Sequence, residues 1–473
     1  MNAMKRAIVI GAGPNGLSAA VVLAQAGLVV EVFEAEEQPG GAARTMELTL
    51  PGFLHDFGSS VYPMGAGSPF FRSLPLIDFG LEWVHGEAAL AHPLDDGTAV
   101  VLEHTFGDQE RELGSDGKAW TGLMRPAADR WWEFAEDALR PALHVPSHPF
   151  LMARFGAYAA LPATMLARRF HSERARALLA GIAGHSMLAF DQPMSSAVAL
   201  VLGAAAPAVG WPVAKGGAQS IPDALVRRLE RFGGVVHTSR RIDSLDELDT
   251  RDAIVMCDIT PRQLLQVAGA RLAESYRRVL ERFRFGPGAF KIDYALSEPI
   301  PWKTAECRRA MTVHVGGTFA EIARAEYEVG KGKHAEKPFV LVAQPSLYDP
   351  MRAPPGKHTA WAYCHVPNAA REDRTAAVEA QIERFAPGFG DCVLARRVFA
   401  PTDLEAMDAN LVGGDVNAGA FTLRQVLLRP GIRTYRTGTP GLYLCSASTP
   451  PGGGVHGMCG YHAAQAALRD LRV

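Results

Sequence analysis

Apolar and polar positions follow two different patterns along this chain. Ala7-Ile8-Val9-Ile10 is a short, unbroken, largely β-branched run, the signature of a strand buried on both faces. Leu17 to Ala26 is apolar, alanine-rich and free of Gly and Pro, which predicts a buried helix. A second strand, Leu28 to Phe33, ends on Glu34. From about Phe70 to Ala214 the pattern becomes helical. Thr121 to Leu143 predicts a helix whose Trp131, Trp132 and Phe134 fill a core. Phe150 to Phe170 sets Arg154, Arg168 and Arg169 among apolar residues. The earlier style returns with a helix over Ile221 to Phe232, which has proline in its first turn. A strand begins at Gly234-Val235-Val236, and Ala253 to Met256 is another, ending near Asp258. Ala289 to Leu296, Pro338 to Gln344 and His358 to Cys364 then alternate as half-buried strands do. Asp349 to Gly356 reads as a hairpin loop between the last two, and Arg371 to Phe385 as an amphipathic helix. Gly441 to Cys445 is a final strand and Val455 to Leu471 a final helix.

This succession predicts an α/β plus α+β protein. The α/β style of the start returns after residue 214 and at the C-terminus, and the family resemblance described below implies one Rossmann-like dinucleotide-binding domain assembled from the discontinuous segments 1–75, 215–288 and 405–473. Segments 76–214 and 289–404 make a second, substrate-binding domain of mainly antiparallel sheet and helices. The length of 473 residues agrees, being too great for one ordinary core. Lys plus Arg total 48 against 50 acids, so no global basic field exists to hold nucleic acid. The six cysteines are scattered with no Cys-x-x-Cys, which speaks against a metal site, a disulfide framework and a paired-cysteine redox partner. That usage, and a stretch before the first strand too short for a signal peptide, suggest the cytoplasm. Two stretches leave peripheral or deeper membrane contact open. Phe150 to Phe170 could rest on a bilayer or pack on its own domain. Ser196 to Ala214 reads better as the buried wall of a substrate cavity than as a span, because Pro207 and Gly210 interrupt it.

The chemistry is carried by glycines. Gly11-Ala12-Gly13-Pro14-Asn15-Gly16 joins the first strand to the first helix. Gly11 permits the tight turn, Gly13 removes a side chain where a diphosphate would approach, and Gly16 lets helix and sheet pack closely. The N–H groups and positive dipole end of the helix would face the phosphates, and Glu34 would accept hydrogen bonds from a ribose. Gly40-Gly41 followed by Arg44 offers backbone N–H groups and a guanidinium to a further phosphate contact. His55-Asp56-Phe57-Gly58-Ser59-Ser60 could let the backbone lie against a flat ring, or could be a plain turn. Pro450-Pro451-Gly452-Gly453-Gly454 again joins a strand to a helix N-terminus, at the opposite end of the chain. Two such termini on one extended cofactor fit FAD better than NAD. No residue is an obvious acid or base. His456, expected to be neutral beside the helix dipole, and Lys215, beside Gly216-Gly217, are the candidates. A loop-orienting histidine and a solvated lysine are the plainer alternatives. His185 reads as a satisfied core residue.

These motifs resemble a known family. GAGPNG with its following Glu34, PGGAART, the GGAQ turn, PSLYDPMRAPPG and GLYLCSASTPPGGGVHG look like the phytoene-dehydrogenase-related FAD-dependent oxidoreductases. Within them they look most like the group called pyridine nucleotide-disulfide oxidoreductase domain-containing protein 2. The resemblance runs from residue 8 to about 465. It implies that Gly11, Gly13, Pro14, Asn15 and Gly16 hold the diphosphate of FAD, and Glu34 and Ala35 its adenosine ribose. Gly40, Gly41 and Arg44, with Gly58 and Ser59, would lie toward the flavin. Backbone near Ile242 would reach the adenine, and Ala447, Gly454 and Val455 the flavin's pyrimidine edge. Ser446-Ala447 departs from the glycine usual after the last strand.

The implied activity is removal of hydride from an apolar or partly apolar small molecule onto flavin N5, leaving a double bond, by a dehydrogenase, desaturase or oxidase. No second Gly-x-Gly-x-x-Gly follows a strand, so oxygen, a quinone or another acceptor would take the electrons. The same fold also resembles non-catalytic carriers of prenylated proteins, on which reading the second domain would bind a lipid or a partner chain.

Overall fold

The computed structural model describes residues 6–471, so the short stretch weighed as a signal peptide lies almost wholly outside it. Strand Arg6–Ile10 is the centre of a five-stranded, wholly parallel sheet. Val29–Phe33 and then Val235–His237 lie on one side of it, Ala253–Cys257 and then Leu442–Leu444 on the other. Three distant parts of the chain therefore interleave strand by strand. The central strands are apolar on both faces because helices Pro14–Gln25, Ser220–Glu230 and Met458–Asp470 cover one side and helix Pro261–Val267 the other.

The second sheet has seven strands. In spatial order they are Val393–Phe399, Gly288–Leu296, His358–Val366, Val340–Ala343, Ala310–Val315, Ala88–Pro93 and Ala99–Leu102. All pairings are antiparallel except Ala310–Val315 with Ala88–Pro93. Strand alternation divides it into two unlike faces. One face is apolar, with Phe290, Ile292, Val313, Val342 and Ala362 packed on Val378 and Ile382 of helix Thr375–Phe385. On the other, Lys291 pairs with Tyr363, Asp293 with Trp361, and Thr312 with Ala343, so polar side chains share one side.

Three expected elements differ. The helix over Thr121 to Leu143 is two, Gly117–Ala128 and Trp131–Ala138, because Arg130 leaves the helical region. The last helix begins at Met458 rather than Val455, since Val455 and Gly457 both have positive φ, 51° and 69°. The segment Asp349 to Gly356 is no simple hairpin loop: it folds into a 3-10 turn that buries Arg352 completely. Ser196 to Ala214 contains helix Ala197–Val209, buried along Ala199, Leu200 and Leu202 to Ala206. Among the described residues no single helix is long and apolar enough to cross a membrane.

Candidate functional site

The glycine loop leaves the carboxyl end of the central strand with no room for side chains. A Cβ on Gly11, whose φ is +94°, would stand 2.8 Å from the Asp258 carbonyl oxygen. One on Gly13 would stand 2.7 Å from Asp258 Oδ2, and one on Gly16 only 2.1 Å from the Gly11 carbonyl. The helix therefore starts hard against the sheet. Pro14 occupies its first turn and the N-cap, Gly13, offers no capping side chain. The Gly16 N–H donates instead to Asp258 Oδ2 at 2.7 Å. Burial pushes the Asp258 carboxyl up to about 8, with Asp408 and Glu34 adding to the effect against the Gly16 bond. The shift favours the neutral form, which would not repel an anion in the loop.

Glu34 lies at the end of the neighbouring strand, nearly buried. Its Oε2 accepts from Ala12 N–H at 2.7 Å and its Oε1 from Glu36 N–H at 3.0 Å. Each oxygen keeps a further lone pair, so the carboxylate that braces the glycine loop can still accept from a ribose. A single groove is lined by Gly11, Gly13, Glu34, Ala35, Gly41, Arg44, Ile242, Asp258 and Asp408. Arg240 and Arg241 add positive charge where the chain leaves strand Val235–His237. Gly41 faces the glycine loop across this groove: its Cβ would lie 3.5 Å from Gly13 Cα. Arg44 is more committed than its sequence position suggests. Its Nε donates to the Gly41 carbonyl and a terminal nitrogen to the Met407 carbonyl, both at 2.8 Å. It thus ties the Gly40-Gly41 loop to the 405–410 segment.

The residues fit an extended adenine dinucleotide. The glycine loop leaves no room for a Cβ at Gly11, Gly13 or Gly16, and the groove runs from Ile242 to Gly41. Asn15 Oδ1, at the mouth of the helix, and Asn410 Oδ1, beside Asp258, are buried without partners. An amide at such a position, in either orientation, suits a phosphate or hydroxyl.

The C-terminal glycine loop does not line that groove. It packs against the turn Pro63–Ala66: a Cβ on Gly65 would stand 3.1 Å from the Val455 carbonyl, and one on Gly454 3.4 Å from Met64 Cβ. Ser446 is buried and Ala447 partly exposed. The following helix packs alongside the first with their N-terminal turns together, a Cβ on Gly460 falling 1.8 Å from the Asn15 carbonyl. The two positive helix ends therefore converge. His456 Nδ1 accepts from the Met458 N–H at 3.1 Å, and the His456 carbonyl accepts from Ser68 Oγ at 2.7 Å. Burial, with His462 nearby, takes its pKa down to about 4 against the Gly453 backbone contact. The ring is neutral and its Nδ1 is spent on holding the loop. Lys215 is half-exposed and paired with Glu82 at 2.8 Å, while its neighbour Gly217 is wedged against Thr45. Gly58 is held by a hydrogen bond from its N–H to the Ala42 carbonyl, with Ser59 in contact with the Tyr62 hydroxyl.

Two clusters escaped the sequence reading. The first is a hub at Asp56 and Arg352, both fully buried. Arg352 donates to Asp56 Oδ1 and to Asp349 Oδ2, each at 2.8 Å. Asp56 also accepts from Thr45 Oγ1, Ser60 Oγ and the Ala218 N–H. Burial would raise the Asp56 carboxyl, but Arg352 outweighs it and holds the group below its ordinary value. The HDFGSS, GGAQ and DPMRAPPG motifs thus meet at one ion pair. The second cluster is Lys291, Asp293 and His55. Lys291 donates to Asp293, with its ammonium 5.6 Å from the Phe399 ring centre and 5.9 Å from that of Trp361. Burial pushes Asp293 up to about 6 and, with Lys291, pushes His55 down to about 3. The signal was present as Lys and Asp two apart in the apolar strand AFKIDYAL, hence on one face.

Comparison with known proteins matches residues 9–74 to the family model described as an NAD(P)-binding Rossmann-like domain. Mouse pyridine nucleotide-disulfide oxidoreductase domain-containing protein 2 is 26% identical, over 98% of this chain and 94% of its own. The neurosporene-forming phytoene desaturase of Rhodobacter capsulatus is 24% identical, over 97% and 92%. Among solved structures, an oxidoreductase from Methanosarcina mazei has the same fold, with a TM-score of 0.65 at 17% identity, covering 98% of this chain and all of that one.

Proposed function

We propose that this chain, which belongs with the phytoene-dehydrogenase-related FAD-dependent oxidoreductases, removes hydride from a small molecule held between its two sheets. The observation that carries the reading is the groove in which Gly13, Gly41, Glu34 and Ile242 line one continuous cradle at the carboxyl edge of the parallel sheet. In it, Gly11 to Gly16 would hold the diphosphate, Glu34 the ribose and the backbone at Ile242 the adenine. Gly41 and Arg44 would lie toward the flavin, with Gly58, Ser59 and the C-terminal loop at Gly454 and Val455 around its ring. Val455 is a β-branched residue held at φ 51°, a conformation that persists only where the surroundings impose it. Fixing that loop is the work His456 does.

Bound FAD supplies the hydride acceptor, N5 of its ring. The chain supplies position and a dry environment. The Asp56–Arg352 hub locks the loop before Ser59 to both neighbouring motifs, so the wall behind the ring is rigid. Lys291, with Asp293 and the Trp361 and Phe399 rings, presents a buried cation and a polarisable aromatic surface on the second sheet. Such a wall suits a substrate that is apolar along its length and carries unsaturation or a polar group near the oxidised carbon. The test is anaerobic. Lipids, polyenes and amines are screened for bleaching of the bound flavin. Bleaching by a compound from one class supports the reading; a flavin that chemical reductants bleach but no class of organic substrate does would contradict it, and a protein that binds no flavin would favour the carrier alternative.

A further inference from the structure

We propose that His185 recognises the polar end of the substrate: one of its ring nitrogens accepts a hydrogen bond from a substrate hydroxyl, and His314 and His92 fix which nitrogen is free to do so. The inference rests on the reading above, in which the substrate lies against the second sheet. The polar face of that sheet carries a row that crosses five strands. Register sets Lys291 opposite Tyr363, Tyr363 opposite Leu341 and Leu341 opposite His314. The parallel pairing of Val313 with Ala91 then brings His92 beside His314. Three strand spacings, roughly 14 Å, separate the lysine from the first histidine. Rings border the interval: Trp361, Tyr363, His365, Phe339, His314 and His185 follow one another with centres between 5.0 and 6.0 Å apart. Helix Glu173–Gly184 ends at His185 and covers the histidine end of the row. A Cβ on its Gly181 would stand 2.5 Å from His314 Nδ1 and 3.0 Å from His92 Nδ1.

The hydrogen bonds give the cluster a direction. Burial keeps all three rings neutral, taking His185 down to about 3, His92 to about 4 and His314 well below its ordinary value. A neutral imidazole has one donor and one acceptor, so each assignment dictates the next. His92 Nε2 lies 2.6 Å from the Gly317 carbonyl, which only accepts, so that nitrogen carries the proton and Nδ1 is a bare lone pair. His314 Nδ1 points to the same place under Gly181 and has no partner. Two lone pairs held there would repel, so His314 carries its proton on Nδ1 and accepts through Nε2. His185 Nε2, at 3.0 Å, is then the donor, and His185 Nδ1 is left as an acceptor. The sequence led us to expect a satisfied core residue at this position. The structure satisfies only one of its nitrogens: among the described residues Nδ1 has no hydrogen-bond partner, and the ring keeps accessible surface. The neighbouring indole cannot serve, since Trp211 Nε1 donates to Thr312 Oγ1 at 3.0 Å. The donor that fits is neutral. Lys291 takes up Asp293 and His365 takes up Glu326, so neither carboxylate is free to meet an ammonium. Nor is a group of three or more His, Cys, Asp or Glu placed to hold a metal ion among the described residues. The row thus fits a substrate with an apolar or unsaturated middle and a hydroxyl at the end away from Lys291.

The purified full-length chain is incubated with FAD and its flavin content is read from absorbance. It is then titrated by calorimetry with octanol and with heptyl methyl ether, an isomer that has no donor. Octanol is expected to bind about tenfold more tightly. His185→Phe should bring octanol down to the affinity of the ether and leave the ether unchanged. His185→Asn, whose amide oxygen can take the place of Nδ1, should restore part of the preference. Heteronuclear NMR of the histidine-labelled parent, with His185→Phe assigning the signal, should show the ring protonated on Nε2. Equal affinities for the two probes in the parent overturn the proposal. So does a preference that survives in His185→Phe, and so does a ring protonated on Nδ1. Flavin content is read separately, so a colourless chain counts against the flavin reading alone.

Discussion

Along the parallel sheet the site is built around backbone: Gly11, Gly13, Gly16 and Gly41 keep the loops free of side chains, and Glu34 braces them through its bond from the Ala12 N–H. Along the seven-stranded sheet it is made of side chains: Lys291, Asp293, His55 and Trp361 from separate strands and loops, tied to the first half through Arg352 and Asp56. The first half is suited to a cofactor whose shape is constant, since a backbone cradle tolerates no variation. The second is suited to a substrate, since side chains on a fixed sheet can change without altering the fold.

Substitutions can set one half against the other. Arg352→Ala should have the largest effect, because it leaves the Asp56 and Asp349 carboxylates buried without their partner. The expected loss is about 3–5 kcal/mol of stability, read by denaturant unfolding. If the variant melts normally, the hub does not join the halves. Glu34→Ala should act on the cofactor half alone. Loss of a charge-assisted pair of hydrogen bonds, about 1.5–3 kcal/mol, predicts roughly 10- to 100-fold weaker FAD binding by fluorescence titration, with substrate-side geometry intact.

His456→Asn sharpens the comparison through pH. His456 is held neutral in the folded chain down to about pH 4, whereas it takes up a proton near 6.5 when unfolded. Its folded value is the lower one, so the stability it contributes is fully present above pH 6.5 and is lost as pH falls from there toward 4. The stability gap between parent and variant should therefore narrow by up to about 1.4 kcal/mol per pH unit in that window, as read by urea titrations. A constant gap would mean that the ring is not buried neutral. Lys215→Ala should do least: the Lys215–Glu82 pair is solvated, and neither melting temperature nor flavin content should move.

The same contrast explains what the sequence could tell. A backbone cradle needs glycines at fixed spacing and a strand and helix beside them, so Gly11 to Gly16 and Glu34 are local patterns, whereas Ile242 came only from the family resemblance. Their common groove follows once the strands pair. Each of the three segments was recognisable by its own short apolar run, but their joining into one domain was implied by the family resemblance, and the strand order was not legible, because parallel pairing between distant segments leaves no local pattern. The Lys291–Asp293 pair left a signal, two apart on one strand face, but His55 did not, because it reaches Asp293 from a short strand some 240 residues away. Arg352 was hidden for another reason. Its surroundings, Asp349-Pro350-Met351 and Pro354-Pro355-Gly356, have the composition of an exposed turn, and only the tertiary pair with Asp56 draws it inside. At His456 the residue was conspicuous but its task was not: one hydrogen bond to Met458 gives its ring a structural occupation that no spacing rule reveals.

The most direct test of the central claim is the visible spectrum of the purified full-length chain, before and after incubation with free FAD and removal of the excess. The account predicts the absorption of an oxidised flavin, bound at one per chain and held more weakly by Glu34→Ala. A protein that stays colourless after reconstitution would contradict it.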